Sequence, residues 1–286
     1  MTGQAPAPPH PPRTRRHPAR RRARFWVYGL LVAFVAGSVF PFYWSFLIAG
    51  HETSADPVPP LLPGGHFLAN AARVFDTVPF WRALGNSVVV AGTVTVSTVV
   101  FSTMAGFAFA LLRFPGRDRL FSCVVATLAV PTQLGVIPLY LTMAELGWAG
   151  DLRAVIVPNL VTALGVFWMR QYTLSAVPRD LVEAARLDGC STGRVLWHVC
   201  VPSVLPAAAF LAMFTFMTSW NDFLWPLVAL DPDNPTVPLA LERLQAGHYV
   251  DYPLVLAGTT LASIPVLVVF TLLGRRIVAG VMAAQG

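Results

Sequence analysis

The sequence predicts an all-α polytopic membrane protein with six spanning helices. Three observations carry that prediction. The 286-residue chain is 55% hydrophobic and 12% charged, with a mean hydropathy of +0.61. A soluble domain carries about 25% charged residues, roughly twice as many. Six windows are apolar over the length that a bilayer demands. Threading those windows through a membrane then sorts the arginines onto one side.

A spanning helix needs about 20 mainly apolar residues. The qualifying windows are 25–48, 86–112, 120–141, 154–169, 203–230 and 254–277, the fourth being the shortest. Lys is absent, so every basic side chain is Arg. With the N-terminal tail inside, 16 of the 20 arginines fall inside. They are the seven of the tail, then Arg113, Arg117 and Arg119, then Arg170, Arg179, Arg186 and Arg194, and last Arg275 and Arg276. Only Arg73, Arg82, Arg153 and Arg243 fall outside. Cytoplasmic loops hold the excess of Arg in membrane proteins. Five or seven spans would flip the later loops and spoil the sorting, so both termini are expected in the cytoplasm.

The elements follow in order. Residues 1–24 are rich in Arg and Pro and cannot bury a core, so disorder is expected there. Placed before a long apolar window, their arginines read as a topogenic signal ahead of a retained anchor at 25–48, rather than as a nucleic-acid arm or a cleaved leader. The outside loop, 49–81, opens turn-rich with Pro57, Pro59, Pro60, Pro63, Gly64 and Gly65. From Phe67 to Leu84 the apolar residues take helical spacing, which predicts a short interfacial helix. The remaining five spans form one unit over 82–277, and 278–286 is a short inside tail.

Span two lacks proline but carries Gly92 and Gly106 among many Ser and Thr, so close packing on another span is expected. The other spans carry Pro41, Pro131, Pro138, Pro158, Pro206, Pro226 and Pro265, each of which frees a carbonyl and bends its helix. Asp222 is the one acidic residue well inside a window. Intramembrane charges are costly and mark function by default. With Trp220 and Asn221 it either lines a solute pathway or bonds a neighbouring span, and the second is the favoured expectation.

Catalytic chemistry is missing. A phosphate loop needs a Lys that the chain lacks. Cys123, Cys190 and Cys200 have neither the pairing of a disulfide framework nor the spacing of a zinc site. No catalytic residue, cofactor or metal ligand is therefore expected.

The inside loop 170–203 has more order than a connector requires. Pro178 suits a first helical turn, and Asp180 and Glu183 suit the N-terminal end of a helix dipole. Leu181, Ala184, Ala185 and Asp188 fall on adjoining faces at three- and four-residue spacing. Gly189 can take positive φ and turn the chain. Ser191 or Thr192 can cap a second short helix, which Pro202 is expected to stop. The result is a helical elbow on the inner face, suited to entering a cleft.

This elbow resembles a motif of the permease subunits of ABC importers: Glu-Ala-Ala, three residues, Gly, nine residues, Ile, one residue, Leu-Pro. Here it reads Glu183-Ala184-Ala185, Gly189, Val199, Val201-Pro202, with Val in place of Ile and Leu. Asn86-Ser87, the run from Arg113 to Arg117, Val130–Leu141, Val177–Gly189, Ser219–Leu227 and Arg275–Gly286 resemble the carbohydrate branch, in particular the six-span maltose-transporter-type subunit, over about residues 25–286. Cys190 stands where that branch often has Ala.

The resemblance implies a type I ABC importer transmembrane fold. It implies a second permease subunit, a cytoplasmic ATPase dimer, an extracytoplasmic solute-binding protein and a sugar substrate, and no nucleic acid. It assigns ATPase coupling to Glu183, Ala184, Ala185, Asp188, Gly189 and Pro202, and contact with the ATPase interface to the tail from Val278. The competing readings are an ion-coupled transporter and a membrane anchor, each working without an ATPase. The first of these predicts several ionisable residues within the spans, and only Asp222 fits.

Overall fold

The computed structural model describes residues 18–52, 62, 64–246 and 250–283. The expectations for 1–17, for Pro57, Pro59, Pro60 and Pro63, and for the last three residues of the tail lie outside them. Among the described residues all regular structure is helical, apart from one isolated bridge between Gly150 and Leu230. Five helical stretches are long and apolar enough to span: Trp26–Ala49, Phe80–Leu111, Leu152–Ala176, Thr192–Trp220 and Tyr252–Leu272. The sixth is a bent pair.

The first helix, α1 (Pro18–Ala49), begins seven residues before the apolar window and takes in part of the stretch expected to be disordered. Pro suits the first turn, and Ala and Arg are strong helix formers, so the helix propagates back from its apolar body. Most of α1 is exposed, with Trp26 at 76% and Phe34 at 73%. Its last turn is buried at Leu47 and Ala49 against α13 (Tyr252–Ala283). The expected interfacial helix is α2 (Phe67–Thr77). Asn70 is its fixed point, donating to the Ala49 carbonyl at 3.0 Å and the His51 carbonyl at 2.7 Å. Arg73 bonds Asn70 Oδ1 and pairs with Asp251 before α13. These contacts tie the ends of α1, α2 and α13 together.

The central helix is α3 (Phe80–Leu111). Its buried residues include Ala83, Ser87, Val90, Ala91, Val94, Thr98, Ser102, Gly106 and Ala110. Their three- and four-residue spacing makes one narrow stripe of mostly small side chains. The stripe lets α7 (Ala163–Ala176) approach closely. A Cβ on Gly106 would sit 2.8 Å from the Met169 and Arg170 backbone, and one on Gly165 would strike Ser102 Oγ. Gly92 has open space around it and plays no such part. Thr98 of α3 also donates to the Asn159 and Leu160 carbonyls, where the fourth span is irregular around Pro158.

The third window is not a straight span. It divides into α4 (Arg117–Thr127) and α5 (Val136–Glu145), joined by a 3-10 turn, with a bend of 88° between the two arms. Leu128, Ala129 and Val130 bond back to carbonyls three residues earlier, so the helix tightens and stops. Pro131 then supplies no N–H and disfavours helical backbone at Val130. Arg170 of α7 holds the first arm, its guanidinium 3.9 Å from the centre of the Phe121 ring.

The fourth span is α6 (Leu152–Ile156), a 3-10 turn and α7, with Asp151 and Thr162 capping the two α-helices through their side chains. The fifth window also differs from expectation. Its helix α10 (Val201–Trp220) ends two residues before Asp222, and a separate short helix, α11 (Leu224–Ala229), follows. Trp225 of α11 donates to the Ala154 carbonyl of α6. The chain then returns to α3, where Asn86 donates to Asn234 Oδ1 and the Pro235 carbonyl, and Ser87 Oγ accepts from the Val237 N–H. This contact positions α12 (Val237–Arg243) beside α13. α13 runs unbroken past the expected boundary at 277 to Ala283.

Candidate functional site

The elbow lies at one end of the bundle, between the span that finishes with α7 and the span that continues into α10. Its first arm is α8 (Arg179–Leu187), entered through Pro178 at φ −60 and ψ 136. Asp180 sits in its first turn and Arg186 in its last, matching the helix dipole. The arm ends in a Schellman turn. The Cys190 N–H bonds the Ala185 carbonyl and the Gly189 N–H bonds the Arg186 carbonyl, both at 3.0 Å, with Gly189 at φ 80. That left-handed position suits Gly because no Cβ clashes there.

The second arm is α9 (Thr192–Val195), with Ser191 at its N-cap but no side-chain cap bond. Proline does not stop this arm as expected. A π-turn over Leu196–Cys200 carries it straight into α10, with the Val201 N–H reaching back to the Leu196 carbonyl. Pro202 follows directly inside the same helical stretch, where it removes one N–H without ending the helix. The second arm of the elbow and the fifth span are thus one continuous helical rod.

Burial divides the elbow in two. Val182, Val195, Leu196 and Cys200 are buried with Phe107 of α3, Met169 of α7 and Val204 of α10, and Ala185 and Cys190 pack against that cluster. Glu183, Ala184, Asp188 and Gly189 are exposed. Leu187 is 89% exposed, Trp197 58% and Leu181 48%. The outer face therefore presents apolar side chains among a carboxylate pair and two small residues. Of the motif positions, Glu183, Ala184, Gly189 and Pro202 lie exposed, whereas Ala185, Val199 and Val201 pack inward. The anchor Val182 is absent from the motif, yet Val182 and Ala185 at helical spacing, followed by Cys190, mark an inward stripe in the sequence.

The second candidate region sits at the opposite end of α10. Trp220 is 3% exposed, stacked on Phe216 with ring centres 5.5 Å apart, and packed with Val237 and Leu254. It is a core residue. Asn221 is exposed and donates to the Met217 carbonyl at 2.8 Å. Asp222 lies in the gap between α10 and α11, and its carboxylate accepts from the Trp225 N–H. The bond it makes is local, to the start of α11, and the expected bond to a neighbouring span is not the one observed. Three consecutive residues thus face three different environments. Among the described residues, no three His, Cys, Asp or Glu side chains converge as a metal site.

An exposed helical elbow borne on two spans of an all-helical bundle is a transport-permease architecture, and the comparisons agree. Residues 80–282 match the family described as binding-protein-dependent transport system inner membrane component. The chain belongs to that family and is a membrane-spanning transport permease. It is 35% identical over 202 residues to the arabinooligosaccharides transport system permease protein AraQ of Halalkalibacterium halodurans, covering 70% of this chain and 72% of the relative. It is 31% identical over 255 residues to the lactose transport system permease protein LacG of Rhizobium radiobacter, covering 89% and 92%. It is 30% identical to the sn-glycerol-3-phosphate transport system permease protein UgpE of Shigella flexneri, covering 90% and 95%. In fold it is similar to the crystal structure of a bacterial ABC transporter involved in the import of the acidic polysaccharide alginate, with a TM-score of 0.76 at 23% identity, over 93% of this chain and 99% of that one.

Proposed function

We propose that the chain is a permease subunit of an ATP-driven importer for a sugar or sugar-like solute. It lies in the plasma membrane of a prokaryote with its termini and elbow on the cytoplasmic side. It forms the pathway with a second permease subunit, receives solute from an extracytoplasmic binding protein, and takes its energy from a separate ATPase dimer. The relatives named for arabinooligosaccharides, lactose and glycerol phosphate support this solute class.

The observation that carries the coupling role is the exposed face of α8, with Glu183 and Leu187 outward, joined through the Gly189 turn to the rod of α9 and α10. A short helical arm that carries an outward apolar residue beside a carboxylate is suited to a cleft in another protein. Force applied at Leu187 passes through Val182 and Val195 into α3, α7 and α10. The collection of Arg113, Arg117, Arg179 and Arg186 around one cavity at the elbow end supports the inside orientation.

The test is uptake by proteoliposomes holding this chain with or without its partner permease and ATPase. Uptake that requires both partners and internal ATP is the expected result. Uptake by this chain alone, driven by an ion gradient, overturns the proposal.

A further inference from the structure

The elbow end holds more positive charge than its own acids can balance. A cavity of about 870 Å³ over the turn between α3 and α4 is lined by Arg113, Arg117, Arg119 and Arg179. A second, of about 420 Å³, shares Arg113, Arg117 and Arg179 and adds Glu183 and Arg186 where α8 meets the end of α3. Asp118 is committed to Arg117 at 3.0 Å. Among the described residues Arg113, Arg119, Arg179 and Arg186 form no ion pair. Glu183 alone cannot neutralise them. Such a cavity wants an anion that accepts several forked guanidinium bonds at once, and a phosphate does so.

Its position selects the source of that phosphate. The turn joins α3, which stops at Leu111, to α4, which starts at Arg117 and makes the bent apolar span only together with α5, so the cavity sits at the charged end of two spans, where membrane gives way to water. None of the α4 side chains is buried, and Leu120 in its first turn is 54% exposed. Beyond Arg119, Leu120, Cys123 and Ala126 are exposed at three-residue spacing, an apolar strip leading from the rim of the cavity along α4. A phosphate site continuous with an apolar strip complements a phospholipid, with the headgroup among the arginines and the acyl chains along α4. Basic pockets at membrane level bind anionic headgroups in this way.

We infer that the arginine-lined cavity between the α3–α4 turn and α8 binds the phosphate headgroup of an anionic phospholipid, which ties the elbow to the end of the second span. Arg113 belongs to the turn, Arg117 and Arg119 to the start of α4, and Arg179 and Arg186 to α8, so the headgroup supplies the counter-charge that lets the two sides approach. Only the assignment to the inner leaflet rests on the orientation proposed above.

The test is retention of phosphatidylglycerol by the full chain in detergent, read by native mass spectrometry against phosphatidylcholine. Wild type retains phosphatidylglycerol selectively. Arg113→Gln with Arg179→Gln lowers that retention about tenfold or more. Arg113→Lys with Arg179→Lys, which keeps the charge but loses the fork, retains more than the Gln pair and less than wild type, which separates charge recognition from a folding defect. Arg82→Gln with Arg243→Gln, at the opposite end, leaves it unchanged. Equal loss from both Gln pairs overturns the site. So does displacement of the lipid by inorganic phosphate at equal concentration, which assigns the cavity to a soluble anion. Unchanged lipid retention with lost capture of the ATPase also overturns it and assigns the arginines to a protein face. None of these readouts depends on uptake, so they stand apart from the transport reading.

Discussion

Gly189 carries the sharpest residue-scale constraint. Its φ of 80 closes the Schellman turn, and a β-branched side chain there costs about 1–2 kcal/mol. Gly189→Val is expected to depress ATP-driven uptake strongly, whereas Gly189→Asn, which tolerates the left-handed region, keeps more of it. Uptake assays of the two variants side by side check this. Val182 holds the elbow to the bundle. Val182→Ala removes buried methyl groups and costs about 1–3 kcal/mol, read as a lowered Tm, while Leu187→Ala leaves Tm unchanged. At the other end, the Arg153 side chain and then its N–H hold the Asp151 carboxyl below its ordinary pKa. A depressed folded pKa means that the cap stabilises α6 above the unfolded pKa and is lost as pH falls through the folded one. A carboxyl titration by NMR is expected to place Asp151 below the usual aspartate range. At this scale Gly189 is legible because its motif position and its backbone requirement coincide. Asp222 is less so, since hydropathy averages across the gap that the structure opens at Asn221.

At the scale of elements, the interlock of α3 and α7 is the tightest helix contact. Gly106 faces the backbone of α7, and Gly165 faces Ser102 of α3. Gly106→Val forces the two apart and is expected to cost about 1–3 kcal/mol or more. Gly92→Ala meets open space and is expected to be neutral or mildly stabilising, by up to about 1 kcal/mol. Thermal unfolding of the two variants separates them. The sequence shows two glycines among many Ser and Thr but not which of them meets a neighbour, because that depends on the rotation of α3. The third span teaches the same point. Pro131 is visible as a helix breaker, yet an apolar window is blind to direction and cannot distinguish a mild kink from the 88° turn observed. The continuous rod from α9 into α10 is hidden for the opposite reason. Pro202 reads as a stop until the π-turn is seen to carry the helix through it.

On the scale of the whole molecule, helices and loops assort into two ends. The elbow and the α3–α4 turn gather the arginines at one, and α2, Asp251, Asn86 and Asn234 close the other. Orientation is checked by single cysteines in a chain freed of Cys123, Cys190 and Cys200. A membrane-impermeant maleimide is expected to label Glu242→Cys in intact cells and Leu187→Cys only after lysis. The broad architecture is legible because membrane burial imposes long apolar windows and arginine sorting, whereas helix contacts depend on shape. The central claim is that the elbow is where movement of an ATPase enters this chain. Its most direct measurement is ATP-driven solute uptake by the reconstituted complex carrying Glu183→Lys. Loss of uptake, with the chain still folded and in the membrane, is the predicted result. Uptake at the wild-type rate, with the ATPase fully retained, would contradict it.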